Sequence, residues 1–96
     1  LILKSYRSEI CFLSPNGVDK DGTVTNSGLS ENSIKKQMSR QAVRTILLAD
    51  NTKLGRTELK IICYAKDVDL LVTDAKAPRE QIDALTAAGF TIAVAG

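Results

Sequence analysis

Thr45-Ile46-Leu47-Leu48-Ala49, running straight into Asp50-Asn51-Thr52-Lys53-Leu54-Gly55, decides how the rest of the chain is read. A nearly all-apolar run without polar alternation is what a strand covered on both faces requires, and such strands belong to parallel sheets. The polar loop that follows at once marks the end of that strand. Upstream, Ser30 or Ser33 can cap a helix that runs to about Val43. Ile34, Met38 and Ala42 recur at i, i+4, i+8 and form its inner face, with Val43 alongside. Downstream, Val68-Asp69-Leu70-Leu71-Val72-Thr73 reads as the next strand, ending at Asp74. Pro78 opens a helix at its first turn, where the missing N–H costs nothing. Ile82 and Leu85 give that helix an apolar stripe, Gly89 ends it, and Phe90 to Ala95 form the last strand.

Glu9 to Leu13 is a short apolar run closed by Ser14-Pro15-Asn16-Gly17, a buried strand ending in a turn. Val18-Asp19-Lys20-Asp21-Gly22 is a second turn signal, and Thr23-Val24-Thr25 a brief strand or an extended loop. Leu59 to Tyr64 fits a strand better than a short helix because of Ile61-Ile62-Cys63-Tyr64. Residues 1–8 are mixed and read as a helix end or a connector. The order β-α-β-(β)-β-α-β predicts an α/β domain with a mainly parallel sheet flanked by helices.

The 96 residues suffice for one small domain. Apolar residues make up 44% and charged residues 25%, as in ordinary globular chains rather than disordered or collagen-like ones. No apolar run approaches the ~20 residues needed to span a bilayer. Leu1-Ile2-Leu3, followed by Lys4, is too short for a signal sequence, so a cytoplasmic location is expected. The only methionine is Met38 and the chain opens at Leu1, which leads us to expect a piece of a longer protein.

Histidine is absent, which removes Ser-His-Asp and Cys-His triads and His-ligated metal; neither a metal nor a cofactor is expected. Thirteen basic and 11 acidic residues are interleaved for a net charge of +2. Lys35, Lys36, Arg40 and Arg44 spread over more than one side of a helix, a solvated face rather than a phosphate-gripping one. The aromatics Tyr6, Phe12, Tyr64 and Phe90 are too scattered for base stacking. Cys11 and Cys63 sit in apolar surroundings without a CxxC, as buried thiols do.

In an open parallel sheet, ligands bind beyond the carboxyl ends of the strands. Three polar loops start there, at Ser14, Asp50 and Asp74. The first holds Asn16, Asp19 and Asp21 with Gly17 and Gly22; the second brings Asp50 and Lys53 together; the third has Asp74 followed by Lys76. Glycines let backbone N–H groups approach an anion, lysine adds a point charge for phosphate, and the carboxylates accept from hydroxyls. A phosphorylated polyhydroxy compound suits that mixture; ordinary turn chemistry suits it too. Glu31 and Lys35, spaced i, i+4, are either a surface ion pair or a pocket acid with a lysine behind it.

Several strings in order carry a resemblance: Phe12-Leu13-Ser14-Pro15-Asn16-Gly17-Val18-Asp19, then Asp21-Gly22-Thr23-Val24-Thr25, then Glu31-x-x-x-Lys35-Lys36-x-Met38, then Ile46 to Arg56, then Asp69 to Asp74. Together they resemble the C-terminal effector domain of DeoR-family transcriptional repressors of sugar metabolism, from about Ile10 to the end. Pro15 stands where that family has a small residue. The resemblance implies a fold related to ribose-5-phosphate isomerase and the CoA transferases, of which these residues are the larger part. It implies a phosphorylated sugar as effector, a winged helix-turn-helix domain N-terminal to this segment that binds operator DNA, and a homo-oligomer. The positions matching its pattern are Asn16, Gly17, Asp19, Glu31, Lys35, Asp50 and Lys53, as ligand-binding rather than catalytic residues. The alternative is an aldose–ketose phosphate isomerase with Glu31 as general base, and a purely structural or oligomerisation module is a third reading.

Overall fold

The computed structural model of the chain describes residues 2–4, 9–28 and 43–96. The helix expected from Ser30 or Ser33, with Glu31 and Lys35, lies outside the described residues. Eight strands are described: β1 (Ile2–Lys4), β2 (Glu9–Leu13), β3 (Gly17–Val18), β4 (Thr23–Asn26), β5 (Val43–Leu48), β6 (Lys60–Tyr64), β7 (Leu70–Asp74) and β8 (Ile92–Ala95). One helix, α1 (Arg79–Ala87), joins β7 to β8, and short 3-10 turns occupy Asn51–Lys53 and Ala65–Asp67.

The strands form two sheets rather than one. A five-stranded sheet has the order β1-β2-β5-β7-β8, and a three-stranded one the order β3-β4-β6. In the larger sheet β2, β5, β7 and β8 are parallel, as the apolar β5 run predicts. Residues 1–8 depart from expectation, because Ile2–Lys4 pairs antiparallel with β2 through Ile2–Cys11, Leu3–Ile10 and Lys4–Glu9. Val43, expected at a helix end, is the first residue of β5.

β5 is not covered equally on both faces. Thr45, Leu47 and Ala49 are buried, whereas Arg44 is exposed and Leu48 is 42% exposed. The ladder register puts Leu13, Leu47, Leu71 and Ile92 in one row, and this is the face on which the core is built. Leu85 contributes from α1 and is fully buried, and Phe90 follows at 3% exposure. Burying such a leucine contributes about 1.5–3 kcal/mol. α1 begins one residue later than expected. Pro78 is its extended N-cap, and its carbonyl accepts from the Gln81 and Ile82 amides. Gly89, at φ +114°, ends the helix as predicted, with its N–H on the Thr86 carbonyl.

The small sheet is antiparallel. β3 and β4 form a hairpin whose turn is closed by Gly22 N–H to Asp19 C=O at 3.0 Å, with Gly22 at φ +97°. The Asp21 side chain accepts from the Thr23 amide at 2.9 Å, which explains the acidic residue before this glycine. Between β4 and β6 the register passes from Val24–Cys63 to Thr25–Ile61, so Ile62 is the extra residue of a bulge. That is why the consecutive Ile62 and Cys63 are both buried. Val18, Val24, Ile62 and Cys63 share one core cluster with Leu13, Leu47, Leu71 and Leu85.

The carboxyl edge of the parallel strands

At the opposite edge of the large sheet, where β5 and β7 begin, Asp69 accepts from the Thr45 amide at 2.7 Å and donates its own amide to the Thr45 carbonyl at 2.9 Å. Those bonds hold the strand starts in register. The strand ends are built differently: β7 finishes on a carboxylate, Asp74, and the loop after β5 carries another, Asp50.

Asp50 follows β5 after Ala49 and caps the 3-10 turn Asn51–Lys53. Its Oδ1 accepts from the Thr52 amide at 2.9 Å and from the Thr52 hydroxyl. Asp74 closes β7, the neighbouring strand. One oxygen accepts from the Asn51 backbone N–H at 2.9 Å, and the Asn51 side-chain amide donates to both oxygens at 3.1 Å. The Lys76 amide adds a further bond at 2.9 Å. These donors favour the charged carboxylates. Asp50 is held below its ordinary pKa first by the Thr52 hydroxyl, and Asp74 first by the Asn51 backbone amide.

Asp50, Asn51, Thr52, Asp74, Ala75, Lys76, Ala95 and Gly96 line an open hollow of about 440 Å³ at the ends of β5, β7 and β8. It lies where the crevice rule for parallel sheets puts a ligand. Lys53 is half-buried as the last residue of the same 3-10 turn. Carboxylates and an amide carbonyl there can accept from hydroxyls, and lysines can meet an anion.

The remaining sequence candidates have other surroundings. Asn16 accepts from the Ser27 amide and hydroxyl, each at 3.0 Å, and so ties the entry of β3 to the exit of β4. Gly17 is a point of close approach, since a Cβ there would stand 2.5 Å from the Arg56 carbonyl oxygen. Asp19 accepts from the Thr57 hydroxyl and, at 3.4 Å, from the Asp21 amide; the Thr57 bond is the first cause of its lowered pKa. Gly17 and Asp19 meet the far end of the loop that Asp50 begins, at Arg56 and Thr57, whereas the Asn16 side chain bonds only within the small sheet. Gly55 N–H to Val18 C=O at 2.8 Å and Glu58 N–H to Thr25 Oγ1 at 2.8 Å complete that seam. Glu31 and Lys35 lie outside the described residues.

The structure thus brings Asp50 into the hollow together with Asp74 and Lys76, which the sequence offered as the third polar loop but not among the family-pattern positions, and adds Asn51 and Thr52, which it did not single out. The parallel pairing of β5 with β7 makes their loops neighbours, and the polar loop starting at Asp74 was the signal available in the sequence. A second hollow, of about 320 Å³, is lined by Asp21, Gly22, Tyr64, Ala65, Lys66 and Ala88; it takes Asp21 and Gly22 from the first polar loop and no residue from the loops that begin at Asp50 and Asp74. Among the described residues no three His, Cys, Asp or Glu side chains group as a metal site, and no helix is long and apolar enough to cross a membrane.

Comparison with known proteins gives a consistent result. The family model of the DeoR C-terminal sensor domain matches residues 1–75. The HTH-type transcriptional regulator GolR of Listeria innocua is 24% identical over 94 residues, which cover 98% of this chain and 37% of that protein. The HTH-type transcriptional regulator GlpR of Haloferax volcanii is 27% identical over 84 residues, 88% of this chain and 33% of that protein. The HTH-type transcriptional repressor GlcR of Bacillus subtilis is 32% identical over 72 residues, 75% of this chain and 28% of that protein. The chain spans about a third of the length of the curated relatives it matches. No solved structure matches it.

Proposed function

The chain belongs to the DeoR C-terminal sensor-domain family, and from that premise we propose that it is the ligand-sensing part of a transcriptional regulator, with a phosphorylated sugar as effector. The observation that carries the reading is the hollow at the ends of β5, β7 and β8, with ionised Asp50 and Asp74 beside Lys76 and the half-buried Lys53 in the adjoining turn. Carboxylates accept from sugar hydroxyls, and the lysines meet the phosphate charge. Glu31 and Lys35 are read as further ligand contacts because they match the family pattern. Gly17 and Asp19 serve the hollow by anchoring the loop that carries Asp50 and Lys53, and Asn16 by holding the β3–β4 hairpin to which that loop is tied. The larger sheet is read as the ribose-5-phosphate isomerase and CoA-transferase type.

Operator DNA is bound by a winged helix-turn-helix domain N-terminal to these residues, in a cytoplasmic homo-oligomer. The sugar phosphate binds one conformation better than another and so alters operator affinity. Because the relatives are transcriptional regulators by name, the site's role is taken to be binding without turnover.

A thermal-shift panel on the full-length protein tests this, using glucose 6-phosphate, fructose 1-phosphate, fructose 6-phosphate and glycerol 3-phosphate beside their unphosphorylated counterparts. Stabilisation by at least one phosphorylated compound, lost in Lys53→Ala, is expected. A panel in which no compound stabilises the protein sinks the proposal.

A further inference from the structure

We propose that Asp74 is the positioning residue of the strand-end site: it holds the Asn51–Lys53 turn in place and fixes which way the Asn51 amide faces. This rests on the sugar-phosphate reading only for the part that concerns affinity. The geometry is local to two loops from neighbouring parallel strands. Asp74 receives the Asn51 backbone N–H at 2.9 Å and the Asn51 side-chain nitrogen at 3.1 Å on each oxygen. The Lys76 amide holds the same carboxylate from its own loop at 2.9 Å.

Two consequences follow for the hollow. The turn that carries Thr52 and Lys53 is attached at its first residue to β7 as well as to β5. In addition, the Asn51 side-chain nitrogen faces Asp74, which fixes the orientation of the amide and turns its carbonyl oxygen away from the carboxylate. With the Asp50 carboxylate beside it, the Asn51 carbonyl oxygen is an acceptor placed for a ligand hydroxyl. Replacing the carboxylate by an amide would put two NH₂ groups face to face and allow Asn51 to turn over.

The experiment compares full-length wild type, Asp74→Asn, Asp74→Ala and the exchange Asp74→Asn with Asn51→Asp, in which the amide donates from position 74 and the carboxylate accepts at position 51. Hydrogen exchange is followed by mass spectrometry over peptides covering residues 49–55 and 60–64. Asp74→Ala is expected to speed exchange in 49–55 by about tenfold or more while 60–64 keeps its protection, and the exchanged pair to recover at least half of the loss. Unchanged exchange in 49–55 overturns the proposal, as does equal acceleration in both peptides.

Calorimetric titration with the same sugar-phosphate panel forms the second arm. A compound that binds wild type should bind Asp74→Asn about tenfold more weakly and regain affinity in the exchanged pair. Equal affinity in wild type and Asp74→Asn overturns the specificity role. If no compound binds wild type, the sensor reading fails, and the exchange data alone decide for or against the positioning of the turn.

Discussion

Two single residues illustrate how close contact and burial decide tolerance. Alanine at Gly17 would bring its Cβ 2.5 Å from the Arg56 carbonyl oxygen and 2.8 Å from Thr25 Oγ1. The first neighbour is backbone and cannot swing aside, so Gly17→Ala should destabilise the fold by about 1–3 kcal/mol, measured by urea unfolding. Thr73 is the reverse case. It is 3% exposed and its hydroxyl has no hydrogen-bond partner among the described residues. Thr73→Val keeps the shape and removes the buried hydroxyl, so it should be neutral or stabilising by up to about 1 kcal/mol in the same measurement. The loop carboxylates set the acid limit. Asp19, Asp50 and Asp74 are lowered, first by Thr57, Thr52 and Asn51 respectively. Their folded pKa values lie below the unfolded value of about 3.9, so on acidification the unfolded chain takes up protons first. Their stabilisation is complete above that value and is lost as pH falls through the lowered folded values. The melting temperature should therefore decline below about pH 4 on their account, and Asp74→Asn should make that decline shallower.

At the scale of elements, α1 depends on one fully buried side chain, Leu85. Leu85→Ala should cost about 2–5 kcal/mol of unfolding free energy. The exposed Arg79–Asp83 pair at 3.2 Å on the same helix should contribute no more than about 0.5 kcal/mol when Asp83 is replaced by Ala. How far each element was legible in the sequence follows from where its stabilising partner lies. β2, β5, β7, α1 and β8 announce themselves through local apolar runs, a proline at the helix entry and Gly89 at its exit. β1 does not, since three residues show no periodicity and Ile2–Lys4 is a strand only because β2 offers an edge to pair with. β3 has just two residues and needs β4 opposite it. The separate small sheet was hidden for the same reason. The bulge at Ile62 also removes the alternation that would have marked β6 as a half-buried antiparallel strand. In the site, Asp50 was visible as the first polar residue after an apolar strand. Asp74's bond to Asn51 spans 23 positions and exists only because β5 and β7 are neighbours.

Across the whole molecule, the two sheets share one core, and the segment from Asp50 to Glu58 bonds to both of them. Asp74 of the parallel sheet holds its first turn. Val18 of the small sheet receives Gly55 N–H, Asp19 receives the Thr57 hydroxyl, and Thr25 receives Glu58 N–H. The side-chain nitrogen of Gln81 in α1 lies 2.7 Å from where a Cβ on Gly55 would be. A ligand seated on Asp50 and Lys53 therefore bears on the contact between the sheets and on α1, not on one loop. This gives the proposed sensor a physical route from site to assembly, and linkage makes the route testable in reverse. If a sugar phosphate weakens operator binding by a factor within the usual 5–150-fold of allosteric coupling, saturating operator must weaken binding of that sugar phosphate by the same factor. Titrating the sugar phosphate into full-length protein with and without an operator duplex measures one side, and titrating the duplex with and without the sugar phosphate measures the other. A dissociation constant for the sugar phosphate that is identical with and without the duplex would exclude coupling between the site and operator binding. Equal factors in both directions are expected, and Asp19→Ala, which loosens the seam at Thr57, should reduce both together.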